Sequence, residues 1–162
     1  MAYTTPHAEL VLPASETFDE YAETVEDKAF VNAAGKSDKD GNRWAYRSTE
    51  TPLAAYAAQI SHLDSCVGVL VGKIKELGLE DNTIIMFSSD NGPHKEGGAN
   101  PSYFKSNGEF RGVKRDLYEG GIRVPFIVKW PAKIEKGSVS NHVSAFWDLM
   151  PTLAEITNQD LA

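Results

Sequence analysis

A single cysteine, Cys66, excludes an internal disulfide in this chain of 162 residues. No apolar run approaches the roughly 18 residues needed to span a bilayer, so no transmembrane helix is expected. Positive charge is scarce: 16 Lys and Arg stand against 23 Asp and Glu, a formal net charge of −7. That balance argues against a nucleic-acid partner, which would want a basic face. No Asn-X-Ser/Thr acceptor occurs, since Asn100 is followed by Pro101. This favours a bacterial source. Residues 1–10 hold neither a basic segment nor an apolar one, so no signal peptide is expected there.

What is present is the composition of a folded domain, 41% hydrophobic and 24% charged. At this length one domain with a real core is expected. The clearest element is a helix over 53–77. Tyr56, Ile60, Leu63, Val67, Leu70, Ile74 and Leu77 recur every three or four residues and make one apolar stripe. Thr51 can cap this helix, Pro52 suits its first position and Gly78 its end. Cys66 falls inside the pattern and reads as a small buried residue. Residues 14–51 are polar and irregular, with a solvated loop at Lys36-Ser37-Asp38-Lys39-Asp40-Gly41-Asn42. Residues 124–130 form a second apolar strand candidate, and Asp148 begins a last helix that tolerates Pro151 in its first turn.

The chemistry gathers after the run Thr83-Ile84-Ile85-Met86-Phe87-Ser88-Ser89. Its β-branched content reads as a strand buried on both faces, the kind found in parallel sheets. Asp90-Asn91-Gly92 follow, at the carboxyl end where open α/β sheets place their ligands. Two hard-oxygen side chains there suit a hard cation; they equally suit an Asx-type turn, with Gly92 free to take positive φ. Residues 93–112 then form a long loop rich in Gly, Asn, Ser and Lys, and loops of that length in compact domains tend to be functional.

In series, these segments resemble the formylglycine-dependent sulfatases of the alkaline-phosphatase-like superfamily. The resemblance is carried by Pro6-His7 with Leu10 and Pro13, Leu63-Asp64, Val67-Gly68, Leu77-Gly78-Leu79 and Ser89-Asp90-Asn91-Gly92. It continues through Lys114, Tyr118-Glu119-Gly120-Gly121-Ile122-Arg123-Val124-Pro125, Trp130-Pro131, and Asp148-Leu149 with Pro151-Thr152. It is nearest to bacterial members similar to arylsulfatases and hexosamine-6-sulfatases. The implied fold is α/β: a partial alkaline-phosphatase-like sulfatase domain over 1–162, a mostly parallel sheet flanked by helices, with loop insertions at 14–51 and 93–112.

The resemblance implies a calcium-dependent hydrolysis of sulfuric esters, aryl or sugar. Asp90 and Asn91 would be oxygen ligands of calcium, Lys114 the sulfate-binding lysine, and His7 the histidine that bonds a sulfate oxygen or protonates the leaving alcohol. His94, three residues past the pair, is a candidate to face the substrate from the loop. Glu119 and Arg123 are expected to form a structural ion pair, and Arg111 and Arg115 to be solvated. Glu9 stands where many members have proline. The family's Cys-X-Pro-X-Arg segment, whose cysteine becomes formylglycine, has no counterpart: Cys66 is followed by Val67-Gly68-Val69-Leu70. The family's paired aspartates are missing too. The chain is therefore expected to be a fragment, inactive alone, with formylglycine in a missing N-terminal half and a parent that is periplasmic or secreted. A sulfated small molecule or glycan is the expected partner, without nucleic acid or membrane, and an unpaired sheet edge is expected to favour self-association. Two other readings stay open. One is a phosphatase or phosphonate hydrolase of the same superfamily, against which Asn91 and the lack of a histidine cluster weigh. The other is a non-catalytic binding module.

Overall fold

The computed structural model describes residues 1–10, 12, 15–32 and 46–160. It divides into two compact units, Met1–Ala132 and Lys133–Ala162.

The first unit opens with an irregular, turn-containing N-terminal segment that carries Pro6, His7 and the buried Leu10. Helix α1 (Glu16–Thr24) follows. The Phe18 N–H donates to the Ser15 side chain at 3.2 Å, and Glu16 and Asp19 place negative charge in the first turn. The reading of 14–51 as a loop insertion is corrected at this point. The helix was hidden in the sequence because it is short, nine residues, and mostly polar. The polar loop at 36–42, like Pro13, lies outside the described residues.

Helix α2 (Pro52–Glu76) matches the expected span within a residue at each end. Its start differs in detail: the Thr51 side chain makes no capping bond. The Asp27 carboxylate caps it instead, accepting the N–H groups of Leu53 at 2.8 Å and Ala54 at 2.9 Å. These are two of the donors that every helix start leaves orphaned, and here they are buried. Replacing Asp27 by alanine is expected to cost about 1–2 kcal/mol, seen as a lower urea midpoint at unchanged slope. Gly78 ends the helix in the left-handed region, at φ +66.

Burial does not follow the apolar stripe. The buried residues of α2 are Pro52, Leu53, Ala54, Ala55, Ala58 and Gln59, all in the first turns. Of these, Ala55 meets Leu10 and Ala99, with Phe18 and Tyr56 packed alongside, and this is the core cluster. Ile60 and Leu77 on the stripe remain 43% and 58% exposed. Cys66 is half-buried rather than buried, with its Sγ 3.6 Å from Nε2 of the exposed His62. Among the described residues no helix is long and apolar enough to cross a membrane.

Strands β1 (Ile85–Ser88) and β2 (Phe126–Lys129) form the only sheet among the described residues. They pair antiparallel, Ile85 with Lys129 through Ser88 with Phe126. The α/β class holds; the mostly parallel sheet and the doubly buried strand do not. An apolar run encodes a preference for burial, whereas strand direction depends on which segment arrives beside it. Here β1 is half-buried along its length, and each strand has one edge without a partner among the described residues. Between them, residues 93–112 are mostly irregular, with a 3₁₀ turn at Glu96–Gly98 and one helical turn, α3 (Pro101–Phe104). A second single turn, α4 (Glu119–Ile122), precedes β2.

In the second unit a 3₁₀ turn (Phe146–Asp148) leads into α5 (Leu149–Thr157), with Pro151 in its first turn as expected. Asp148 accepts the Ala145 N–H at 2.7 Å and so closes that entry.

Candidate functional site

The Asp90-Asn91-Gly92 turn leaves β1 and is fixed by backbone contact with α4. The Gly92 N–H donates to Gly121 O at 2.9 Å, and the Lys114 N–H donates to Pro93 O at 2.8 Å. The Gly120 N–H in turn donates to Arg111 O at 2.8 Å. Three glycines make these approaches possible. A methyl group on Gly92 would lie 2.0 Å from Gly120 O; one on Gly120, 2.2 Å from Gly112 O; one on Gly121, 2.2 Å from Asp116 O. Turn, α4 and the 111–116 segment are therefore stacked backbone on backbone, which is the close approach that only glycine permits. Asp90, Asn91 and Lys114, separate in sequence, are brought by it into one assembly.

The side chains of this assembly are free to act. The exposed Asp90 carboxylate takes part in no hydrogen bond or ion pair among the described residues. Asn91 Nδ2 donates to Gly92 O at 2.9 Å, which commits the amide nitrogen and leaves Oδ1 as an unused acceptor. The half-buried Lys114 ammonium likewise makes no hydrogen bond or ion pair among the described residues. Two adjacent hard-oxygen donors fit a hard cation such as calcium, as part of its shell of six to eight oxygens. No group of three or more His, Cys, Asp or Glu side chains converges as a metal site among the described residues.

The N-terminal segment joins through His94. This side chain is only 6% exposed. Its Nε2–H donates to Pro6 O at 2.8 Å, and its Nδ1 accepts the Glu96 N–H at 3.2 Å. Its ring stacks on His7 at 5.9 Å between centroids and meets the edge of Tyr56 from α2, also at 5.9 Å. With both nitrogens engaged inside the protein, His94 cannot face the substrate; that reading is corrected. His7 is exposed, and its Nδ1 lies 2.5 Å from Ala8 O. A carbonyl can only accept, so in this contact Nδ1 is the donor, while Nε2 takes part in no hydrogen bond among the described residues.

Burial pushes the His94 imidazole below its ordinary 6.5, against the bond from Pro6 O, and the positive charges of Lys114, His7 and Arg115 push the same way. Glu96 Oε2, 3.1 Å from Nδ1, would favour the charged ring. The neutral form prevails physically, because Nδ1 already accepts a backbone N–H and Arg115 takes the Glu96 charge at Oε1. A lowered folded value means that the stabilisation is complete above about pH 6.5 and is lost as pH falls through the folded value. We expect the melting temperature to fall on acidification through this range, and His94→Gln to flatten that part of the slope, measured by calorimetry.

The remaining charges are structural. Arg123 pairs with Glu119 at 3.2 Å, as expected, and also lies over the Phe110 ring. Arg111, expected to be merely solvated, sits 3.8 Å over the Tyr118 ring, and Arg115 pairs with Glu96. A cavity of about 370 Å³ opens beside the site, lined by Lys95, Ser102, Asn107, Arg111, Asp116 and Tyr118 among others. None of Asp90, Asn91, Lys114 or His7 lines it. What sequence reasoning missed is the Pro6–His94 link and the Arg115–Glu96 pair. Neither left a local signal, since both join segments far apart in the chain.

The geometry is thus that of an α/β protein in which a strand ending in Asp-Asn-Gly is laid on a Glu-Gly-Gly turn, with a lysine before it that makes no hydrogen bond or ion pair among the described residues. The family model described as Sulfatase matches residues 2–159, and the chain belongs to the sulfatase family. It is 37% identical to steryl-sulfatase of Mus musculus over 109 residues, which is 66% of this chain and 18% of that protein. It is 38% identical to N-acetylgalactosamine-6-O-sulfatase of Bacteroides thetaiotaomicron over 108 residues, 63% of this chain and 21% of that protein. The crystal structure of Ps i-CgsB in complex with k-i-k-neocarrahexaose superposes with a TM-score of 0.68 at 28% identity, covering 98% of this chain and 28% of that one. The chain thus spans about a fifth of the length of these curated relatives.

Proposed function

We propose that this chain carries the cation- and sulfate-binding part of a sulfuric-ester hydrolase. The observation that supports it best is the glycine-stacked assembly that presents Asp90, Asn91 and Lys114 with their charged and polar ends free. Asp90 Oδ and Asn91 Oδ1 would hold calcium, which would supply neutralisation of sulfate charge and Lewis acidity there. The Lys114 ammonium binds a sulfate oxygen and stabilises the charge that develops on the leaving oxygen. His7 offers its Nε2 to the leaving alcohol, where an imidazole near neutral pH can hold or hand over a proton.

The nucleophile is formylglycine supplied by polypeptide outside this sequence, in which no Cys-X-Pro-X-Arg occurs. The substrate class is a sulfated glycan: the adjoining cavity offers Lys95, Ser102 and Asn107, a lining suited to hydroxyls and anions. The chain alone is expected to turn over no aryl sulfate such as 4-nitrocatechol sulfate, with or without calcium. Turnover by the purified chain would refute the assignment of the nucleophile. The sheet edges without partners among the described residues, with Phe126 and Ile127 exposed, also favour self-association, which light scattering will detect. A non-catalytic binding module is the second reading, favoured by the same lack of a nucleophile segment; it predicts that an added nucleophile half restores no activity.

A further inference from the structure

We infer that His94 is a positioning residue for His7: it clamps the Pro6 carbonyl to the Pro93–Glu96 loop and holds the His7 ring against its own. The inference rests on the proposed role of His7, and it adds the device that ties an N-terminal histidine to the cation-binding turn. The Pro6–His7 segment has few other anchors near the site. The His7 N–H closes a local turn by donating to Thr4 O at 2.8 Å. The Nε2–H of His94 is the side-chain bond that reaches Pro6 from the loop after Asp90-Asn91-Gly92.

The clamp is itself held on every side. The Glu96 N–H fixes Nδ1, so the ring presents its one proton to Pro6 O. Tyr56 of α2 closes one side and His7 covers another, with Tyr56 in turn stacked on Phe104 at 5.7 Å. Arg115, next to Lys114, pairs with Glu96. One chain of contacts therefore runs from the lysine segment through Glu96 and His94 to His7. A buried, fully engaged imidazole has the rigidity that a positioning role needs.

The experiment is long-range proton–nitrogen correlation spectroscopy on the chain, with its histidines labelled, near neutral pH. In the unmodified chain we expect His94 as the Nε2–H tautomer with a slowly exchanging proton, and His7 as the Nδ1–H tautomer. In His94→Leu, which loses the donor, His7 is expected to relax to the mixed tautomers of a free imidazole. The exchange rate of its backbone amide should rise about tenfold, the scale of one lost buried hydrogen bond. His94→Gln, whose amide can still donate to Pro6 O, should restore the His7 signature.

An unchanged His7 signature in a folded His94→Leu chain would overturn the inference, because a merely structural residue would leave that signature alone. Should the leucine variant fail to fold, the glutamine variant and the unmodified chain decide. An Nδ1–H tautomer or a freely exchanging proton on His94 overturns the clamp; the Nε2–H tautomer with rescue by glutamine supports it. Failure of the sulfatase reading shows separately, as an unmodified chain that ignores added sulfate while these tautomers stand.

Discussion

Gly92→Ala is expected to lower the melting temperature by about 10 °C or to abolish the cooperative transition. The added methyl group would lie 2.0 Å from the Gly120 carbonyl oxygen and 3.0 Å from the Gly121 Cα. Both are backbone atoms and cannot rotate away as a side-chain tip could. Overpacking a tight site costs about 1–3 kcal/mol and more where nothing can yield, and roughly 3 kcal/mol in a chain of this size is about 10 °C. The same change would break the Gly92–Gly121 bond of 2.9 Å and release the turn that carries Asp90 and Asn91. Gly68→Ala serves as the control: it lies in α2 with nothing within 4 Å of its added methyl, so helix propensity alone acts there and favours alanine. Thermal melts of the two variants side by side measure the difference. Equal melting temperatures would contradict the backbone stacking.

Lys114→Ala is expected to do the opposite, leaving the melt unchanged and removing the response to sulfate. Its ammonium supports no hydrogen bond or ion pair among the described residues, so the fold loses little, while its backbone N–H still donates to Pro93 O. In a longer polypeptide that holds this segment together with a Cys-X-Pro-X-Arg nucleophile, kcat should fall about 10²–10³-fold, the usual cost of removing one preorganised charge-stabilising donor. Lys114→Arg should recover only part of this, since a planar fork replaces a compact point charge. A Lys114→Ala enzyme with undiminished kcat would remove the lysine from the proposed mechanism. A variant that loses activity and stability together would assign it a packing role instead.

The two substitutions divide the site into what holds it and what acts, and the sequence displays the two parts unequally. The residues proposed to act are marked locally in the sequence: Asp90 and Asn91 end an apolar run, and Lys114 stands in register with Glu119-Gly120-Gly121. Helix α2 was legible because one side-chain period repeats along it. The holding contacts were not. The Asp27 cap reaches Leu53 from 26 residues earlier in the chain, and His94 reaches Pro6 across 88 residues. A pattern of apolar and polar letters carries no signal for a single bond between such distant partners. The antiparallel pairing of β1 with β2 was hidden for a related reason, since direction belongs to the pair and not to either strand. Helix α1 was missed because it is short and mostly polar, its start marked chiefly by the cap, Ser15 before Glu16 and Asp19. His94 shows the limit most sharply. Three residues past the Asp90-Asn91 pair it reads as a substrate-facing group, and in the structure its side chain is buried.

The central claim is that Asp90, Asn91, Lys114 and His7 form one partial site for a cation and a sulfate. The most direct test is a nuclear magnetic resonance titration of the chain, first with calcium chloride and then with sodium sulfate, with magnesium as the control. The account predicts calcium-dependent shifts centred on Asp90 and Asn91, then sulfate-dependent shifts at Lys114 and His7 that require calcium and vanish in Asp90→Ala. Shifts scattered over surface lysines, or none at these four residues up to saturating salt, would contradict it.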